Sequence, residues 1–239
     1  LFVCDWRGGR FKFAGKGKKG GMGQKLTKKG LKGQPFPTLK GMSTSELVSQ
    51  LKSPSAVRRL EIQRVLLARA GTGSIKPLIN FIKDSRLSIE SRIAAIFTLS
   101  QMKGMTADQF LQIFAKDWKD LKEIQQYLTR AAGDLSGAIS SDTLSLVERV
   151  LQSGDERTRL QAVVFLMRTG NPAKNATAQI LKAVTEAQDQ RIQNTAVGAL
   201  VKIGDVESLL SHVNRKTARL ALMRLHRPEV ISGIAASLQ

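Results

Sequence analysis

The sequence predicts an all-α protein: a right-handed α-solenoid of about six helix pairs, preceded by a short strand-like segment and a basic glycine–lysine linker. Gly71, Gly104, Gly170 and Gly204 each close a long segment of helical periodicity, with separations of 33, 66 and 34 residues. A second, shorter amphipathic segment precedes each long one. No alternating strand pattern occurs over 43–239. Because one helix pair cannot bury its own apolar face, neighbouring pairs must stack into a continuous core.

The chain opens with a strand-like segment. Its first residues, "LFVCDW", form a short apolar run with β-branched and aromatic members, which ends before Gly8 and Gly9. Such a run is typical of a buried strand. A single strand cannot fold alone. We therefore expect residues 1–14 to be the remnant of a β domain whose other strands lie upstream of this chain.

The segment after the strand is basic and rich in glycine. Residues 1–41 hold eleven of the 38 Lys and Arg residues, ten of the 20 Gly and a single acid, Asp5. The stretch 15–33 cannot bury enough apolar surface to offset the entropy lost on ordering it. We predict a flexible basic linker over 15–41. The formal net charge of +19 thus divides into +10 before residue 42 and +9 after it.

Helix pairs fill residues 42–239 in this interpretation. Ser43 with Glu46 forms a capping box, and Asp155 and Asp189 are suitable N-caps. Around 118–135 the pattern departs from the rest, because two glutamines occupy the middle of the unit and its register stays open. A last helix follows Pro228. The longer, second helices are predicted to begin near residues 55, 88, 118, 155, 188 and 215, a mean step of 32 residues.

The repeating features resemble the HEAT-repeat family, including its short PBS-lyase-like variants, over residues 43 to about 225. The resemblance depends on the paired helices, the Arg near the start of the second helix, the Ala/Leu spine and the closing Gly. It implies stacked helix pairs whose second helices line an inner, concave surface. It says little about function, since one fold supports many functions.

Residues 1–71 resemble a particular domain junction. In planctomycete-type membrane-bound dehydrogenases, a sorbosone-dehydrogenase-like β-propeller ends in a strand similar to "LFVCDW" and is followed by HEAT repeats, often with a cytochrome c module. That family usually continues with a last propeller strand, where this chain reads "GKGKKGG". The resemblance implies a segment of a larger multidomain protein and a periplasmic location. Any dehydrogenase activity would then lie in the upstream domain.

Composition removes several kinds of site. Cys4 is the single cysteine, which excludes a disulfide scaffold and a cysteine-based zinc site. No HExxH motif and no carboxylate cluster offers metal ligands. No run of eighteen apolar residues occurs. We predict no catalytic residues, no cofactor, no metal and no membrane insertion, and we expect a monomer.

Six arginines are candidate interaction residues because they fall in the first turns of the predicted second helices. They could form a positive groove for phosphates or for an acidic partner. They could instead form a ladder of pairs between repeats with the acids near the helix caps, Asp155, Glu156 and Asp189. The arginines are Arg58, Arg59, Arg157, Arg159, Arg191 and Arg215.

The predicted function is a non-catalytic scaffold that binds protein partners or neighbouring domains. The alternative is a nucleic-acid-binding solenoid, which the net charge favours and the 5% aromatic content disfavours. One variant of it rests on "KDWKDL", which loosely resembles HEAT-like alkylpurine DNA glycosylases in placing Trp118 beside Asp117. The other interpretation is that Trp118 fills the core and Asp117 caps the next helix.

Overall fold

The computed structural model divides the chain into two units, 1–38 and 39–239. In the first unit, strand β1 (Phe2–Asp5) pairs antiparallel with strand β2 (Met22–Lys25), with Phe2 opposite Lys25. The structure describes residues 2–5, 22–25, 35–69, 72–153, 155–186 and 189–237.

Strand β1 lies within the predicted "LFVCDW" strand, but its partner differs from the expectation. We expected that partner upstream of the chain, and the structure supplies it from Met22–Lys25, within the predicted linker. The sequence Met-Gly-Gln-Lys contains no β-branched or aromatic residue, so no local pattern marks it as a strand. The rest of the predicted linker up to residue 34 lies outside the described residues. An upstream β domain stays a prediction.

In the second unit, every secondary-structure element among the described residues is a helix, as the sequence predicts. Short 3₁₀ segments cover Thr72–Ser74, Trp118–Ile124 and Asn171–Ala176. The α-helices are α1 (Thr44–Gln50), α2 (Ala56–Ala68), α3 (Ile75–Lys83), α4 (Ile89–Ser100), α5 (Ala107–Ala115), α6 (Gln125–Gly133), α7 (Ser141–Ser153), α8 (Glu156–Thr169), α9 (Thr177–Glu186), α10 (Gln190–Ile203), α11 (Val206–Ser211), α12 (Lys216–Leu225) and α13 (Pro228–Ser237).

The helices stack as pairs in two layers. Helices α1, α3, α5, α7, α9 and α11 are the first helices of their pairs, and the even-numbered helices α2 to α12 are the second helices. Each second helix packs on its own first helix and on the second helices of neighbouring pairs, most extensively along α6, α8 and α10. Helix α13 packs on α11. The predicted solenoid of six helix pairs is confirmed.

Most second helices begin within two residues of the predicted position. The pair near residue 118 is the exception, because a 3₁₀ segment precedes α6, which begins only at Gln125. Leu121 has non-helical dihedral angles (φ −103°, ψ 23°). The side chain of Gln125 donates to the carbonyl of Trp118 over 2.7 Å. The prediction of a helix start near 118 was therefore wrong, since Gln125 begins the helix instead of occupying its middle.

Side-chain caps explain where several helices begin and end. Ser43 and Glu46 form the predicted capping box. The carboxylate of Asp155 accepts from two backbone N–H groups of α8, as predicted. Gly204 ends α10 with a φ of +70°, in the left-handed region that glycine adopts without steric cost. His226 takes the same conformation at the end of α12, with a φ of +49°.

Polar bonds join neighbouring pairs at about one repeat of sequence separation. Gln63 donates to the carbonyl of Ala94 over 2.9 Å, and Gln112 donates to the hydroxyl of Thr143 over 3.0 Å. Among the described residues, four ion pairs span the same interval. They are Lys83–Asp117, Arg92–Glu123, Asp134–Arg168 and Lys174–Asp205.

Candidate interaction surface

In several pairs an arginine of the second helix donates to a carbonyl at or just after the end of the first helix. Counting the N-cap as zero, Arg92 is the fourth residue of α4, and its side chain is only 2% exposed. Its Nε donates to the carbonyl of Ile82 over 2.8 Å, near the carboxyl end of α3. A guanidinium there also faces the negative end of the helix dipole. Nη1 of Arg92 reaches the carboxylate of Glu123 at 3.3 Å.

The fourth residue repeats this role in other pairs. Arg59 of α2 donates to the carbonyl of Ser53 over 2.7 Å. Arg219 of α12 donates to the carbonyl of Asn214 over 2.8 Å. Arg159 has the same position in α8, half-buried, and its Nε has no hydrogen-bond partner. These arginines therefore face into their own helix pair, and two of the six predicted candidates, Arg59 and Arg159, belong to this set.

Two other candidates occupy the second helical position. Arg157 in α8 and Arg191 in α10 are both exposed. The guanidinium of Arg191 holds both carboxylate oxygens of Asp189, with the shortest distance 2.7 Å. This bond lowers the pKa of Asp189 and raises that of Arg191. Arg157 donates its backbone N–H to Asp155 over 2.8 Å.

The remaining two candidates lie elsewhere. Arg58 is half-buried at the third position of α2, and Arg215 is the N-cap of α12. Nη1 of Arg215 donates to the hydroxyl of Thr185 over 3.4 Å. The six arginines thus occupy four different helical positions and do not form one row. Asp155 and Asp189 cap their own helices, and, after Asp189 itself, the charge of Glu156 in the preceding pair also raises the pKa of Arg191.

The second helices share an accessible face, which we call the second-helix face. Its members stand at positions two, five, nine and twelve, and this spacing of three, four and three residues places them on one side of a helix. They are half-buried or exposed, while positions seven and eleven are buried in α8 and α10. The members are Arg157, Leu160, Val164 and Met167 on α8 and Arg191, Asn194, Gly198 and Val201 on α10.

Large apolar side chains are exposed on the second helices at both ends of the stack. Val57 is 71% and Leu60 49% exposed on α2, where they hold positions two and five. Met223 is 69% exposed on α12. Exposed apolar area of this kind marks a contact surface when it is contiguous and rimmed by polar groups.

A groove of about 540 Å³ lies between the carboxyl-terminal halves of α8 and α10. Met167, Gly198 and Val201 supply its apolar lining, and Arg168 and Lys202 supply cations. Arg168 forms an ion pair with Asp134 of the preceding pair. An apolar groove with a few charged groups at its edge is suited to binding a partner side chain. Sequence reasoning missed this groove, and the signal available for it was the helical Gly198 between the apolar residues of α10.

Asp117 does not cap the next helix as predicted, whereas Trp118 packs against the core. The carboxylate of Asp117 pairs with Nζ of Lys83 at 2.5 Å and makes no capping bond. The prediction that Asp117 caps the next helix was therefore wrong. Trp118 is half-buried and packs against the core, as the core-filling interpretation expects.

Metal-binding clusters and membrane-spanning helices are both absent from the described residues. No three His, Cys, Asp or Glu side chains in that part of the chain lie close enough together to hold a metal ion. None of the helices in the same residues is both long and apolar enough to cross a membrane.

Comparison with known proteins returns structural similarity only. No protein-family model and no curated protein matches the chain. Eight chains of solved structures match. One is the designed armadillo repeat protein YIII(Dq)4CqI, at 17% identity and a TM-score of 0.44, over 82% of this chain and 98% of that one.

Proposed function

We propose that this chain is a non-catalytic interaction scaffold that binds an acidic protein partner through its second-helix face. The observation that carries the proposal is the combination of apolar side chains and exposed cations on that face. On α8, Leu160, Val164 and Met167 follow Arg157 along the face, and the exposed Arg168 borders it at position thirteen. Protein interfaces combine an apolar centre with a polar rim, and complementary charge steers the partner toward it.

Nucleic-acid binding is the second candidate, and the positive charge of the chain is what favours it. A phosphate backbone needs many free cations along its path. In the solenoid, several guanidiniums are already occupied by carbonyls or carboxylates of the same chain, among them those of Arg59, Arg92 and Arg191. Sequence-tolerant readers of single strands also need aromatic platforms. With fewer free cations, the solenoid suits a partner held mainly by an apolar anchor and a few charge contacts better than a phosphate backbone.

The proposal extends to the setting of the scaffold. We further propose that the solenoid is the HEAT-like segment of a larger dehydrogenase-type protein in the periplasm. The support is the "LFVCDW" run and the basic segment that follows it. Sequencing the gene upstream of Leu1 tests this part. An in-frame β-propeller there supports it, and a start codon immediately before Leu1 overturns it.

Binding of two probes by the full chain tests the choice of partner. The first probe is a fluorescent peptide of alternating Glu and Ser with one central Phe, and the second is a short fluorescent DNA duplex. Each is titrated by anisotropy at several salt concentrations. We expect the peptide to bind more tightly than the duplex at physiological salt. Tighter binding of the duplex, with a steep loss of affinity as salt rises, would favour nucleic acid and overturn the proposal.

A further inference from the structure

We infer that the groove between α8 and α10 receives one bulky apolar side chain of an acidic partner, whose adjacent carboxylate binds between Arg168 and Lys202. The inference rests on the proposed function and names the place and the chemistry of binding. The groove is lined by Met167, Arg168, Gly198, Val201 and Lys202.

Gly198 keeps the groove open. Glycine in the interior of a helix is less stable than alanine by about 0.5–1 kcal/mol. Neither backbone strain nor close packing requires glycine at this place, because its φ is helical and a Cβ would lie 3.5 Å from Sδ of Met167, an ordinary contact. A larger side chain would fill the space beside Met167. Helix α10 thus contains a glycine that lowers the stability of the helix and leaves an open apolar depression beside Met167.

The edge of the groove carries two cations, Arg168 and Lys202. Asp134, Arg168 and Lys202 are spaced by 34 residues, one repeat, and follow one another along α6, α8 and α10. Arg168 pairs with Asp134 in the preceding pair. One repeat before Arg168 stands an acid, Asp134, whereas one repeat before Lys202 stands a second cation, Arg168. Lys202 is exposed and has no ion pair within the described part of the chain. A carboxylate of the partner would supply the missing negative charge.

A second copy of this chain is a poorer occupant. The solenoid from residue 42 onward carries a formal charge of +9, so two copies repel each other. An acidic segment has the opposite charge, and its apolar side chain gains from burial against Met167 and Val201. The charge balance therefore selects an acidic partner with an apolar anchor.

Methyl NMR of the full chain locates the binding. The chain contains six methionines, and its ¹³Cε-methyl spectrum is recorded with the Phe-containing acidic peptide and with a matched peptide in which Ser replaces Phe. Met167→Leu assigns the resonance of Met167. We expect the Phe peptide to shift Met167 while the buried Met102 stays unmoved, and the Ser peptide to bind roughly tenfold more weakly.

Matched variants separate the groove from the rest of the surface. Gly198→Leu fills the groove and is expected to weaken binding of the Phe peptide roughly tenfold. Ala178→Leu adds the same side chain at an exposed position of the first helix α9 and is expected to leave binding unchanged. Lys202→Ala is expected to weaken binding by about threefold to tenfold, and Lys182→Ala on α9 by less, although both remove one charge.

The outcomes distinguish this inference from the proposed function. If the Phe peptide binds but Met167 stays unshifted and Gly198→Leu binds like wild type, the groove assignment is overturned while the scaffold function stands. If Met167 shifts with protein concentration in the absence of peptide, a second copy is the occupant and the inference is overturned. If neither peptide binds at low salt, both the groove assignment and the proposed function are overturned.

Discussion

The guanidinium of Arg92 donates to the main-chain carbonyl of Ile82 over 2.8 Å, with the arginine side chain 2% exposed. The bond connects the first turn of one helix to the last turn of the helix before it. Similar bonds occur in two other pairs, from Arg59 to the carbonyl of Ser53 and from Arg219 to the carbonyl of Asn214, and both carbonyls lie just after the first helix. In these three pairs, an arginine at the fourth position of the second helix therefore ties that helix to the end of the first.

Arg92→Met is expected to destabilise the protein by about 2–3 kcal/mol. The substitution leaves the buried carbonyl of Ile82 without its donor, and an unsatisfied buried polar group carries a cost of this size. Chemical denaturation followed by circular dichroism measures the change. Arg64→Met is the matched control, because Arg64 is exposed and pairs only with Glu61 in the same helix. It should change stability by less than about 0.5 kcal/mol, and an equal effect of the two variants would contradict the structural role of Arg92.

Two glycines of α10 are expected to respond in opposite directions to alanine. Gly198→Ala should stabilise the protein by about 0.5–1 kcal/mol, because the position is helical and the added Cβ makes an ordinary contact. Gly204→Ala should destabilise it by about 1 kcal/mol, since φ is +70° and the Cβ would approach Arg227. Thermal unfolding of the two variants makes the comparison, and a loss of stability in Gly198→Ala would mean that packing requires glycine there.

His226→Gly is expected to stabilise the protein by about 1 kcal/mol. His226 ends α12 with a φ of +49°. Residues that carry a Cβ adopt this left-handed conformation at a cost in free energy, which glycine avoids. His212→Gly serves as the control, because His212 ends α11 with a φ of −115° and its Nδ1 lies 2.8 Å from the carbonyl of Ser208. That variant should lose stability. A loss in both would show that the side chain of His226 makes a contribution larger than its backbone strain.

Asp84 is expected to titrate abnormally low. Two guanidinium hydrogen bonds from Arg86 to its carboxylate, of 2.8 and 2.9 Å, together with one from the Arg86 backbone N–H of 3.1 Å, lower the pKa of Asp84 from 3.8 to about 2. The stabilisation from this pair is complete above the ordinary pKa and is lost as pH falls toward 2, because the unfolded chain takes up the proton first. In Arg86→Ala the carboxyl pKa should return toward its ordinary value. A ¹³C carboxyl titration by NMR checks it, with Arg64→Ala as the control that leaves Asp84 unchanged.

The helix starts were predictable from sequence because caps act locally. Ser43, Asp155 and Asp189 bind backbone groups two or three residues away, so the short sequence pattern contains the whole interaction. The start at Gln125 was missed because the non-helical Leu121 separates the 3₁₀ segment from α6. The side chain of Gln125 bonds to the carbonyl of Trp118, seven residues away, and helix propensities of single residues do not reveal such a bond.

The candidate site was less accessible to sequence reasoning. The six arginines share a region of the repeat, but a difference of one or two positions turns a guanidinium from solvent into the helix pair. Arg157 and Arg159 illustrate this within one helix, since the first is exposed and the second half-buried. The groove beside Gly198 depends on contacts between α8 and α10, which are far apart in sequence.

Peptide binding by two charge-matched triple variants tests most directly that the second-helix face is the binding surface. Each variant replaces three exposed cations with alanine in the full chain, and circular dichroism checks that both remain folded. We expect the second-helix variant to bind the Phe-containing acidic peptide at least roughly tenfold more weakly than the first-helix variant. Equal loss in both would show that net charge alone attracts the peptide and would contradict a defined binding face. The second-helix variant carries Arg157→Ala, Lys202→Ala and Arg224→Ala, the last at the ninth position of α12, and the first-helix variant carries Lys76→Ala, Arg149→Ala and Lys182→Ala.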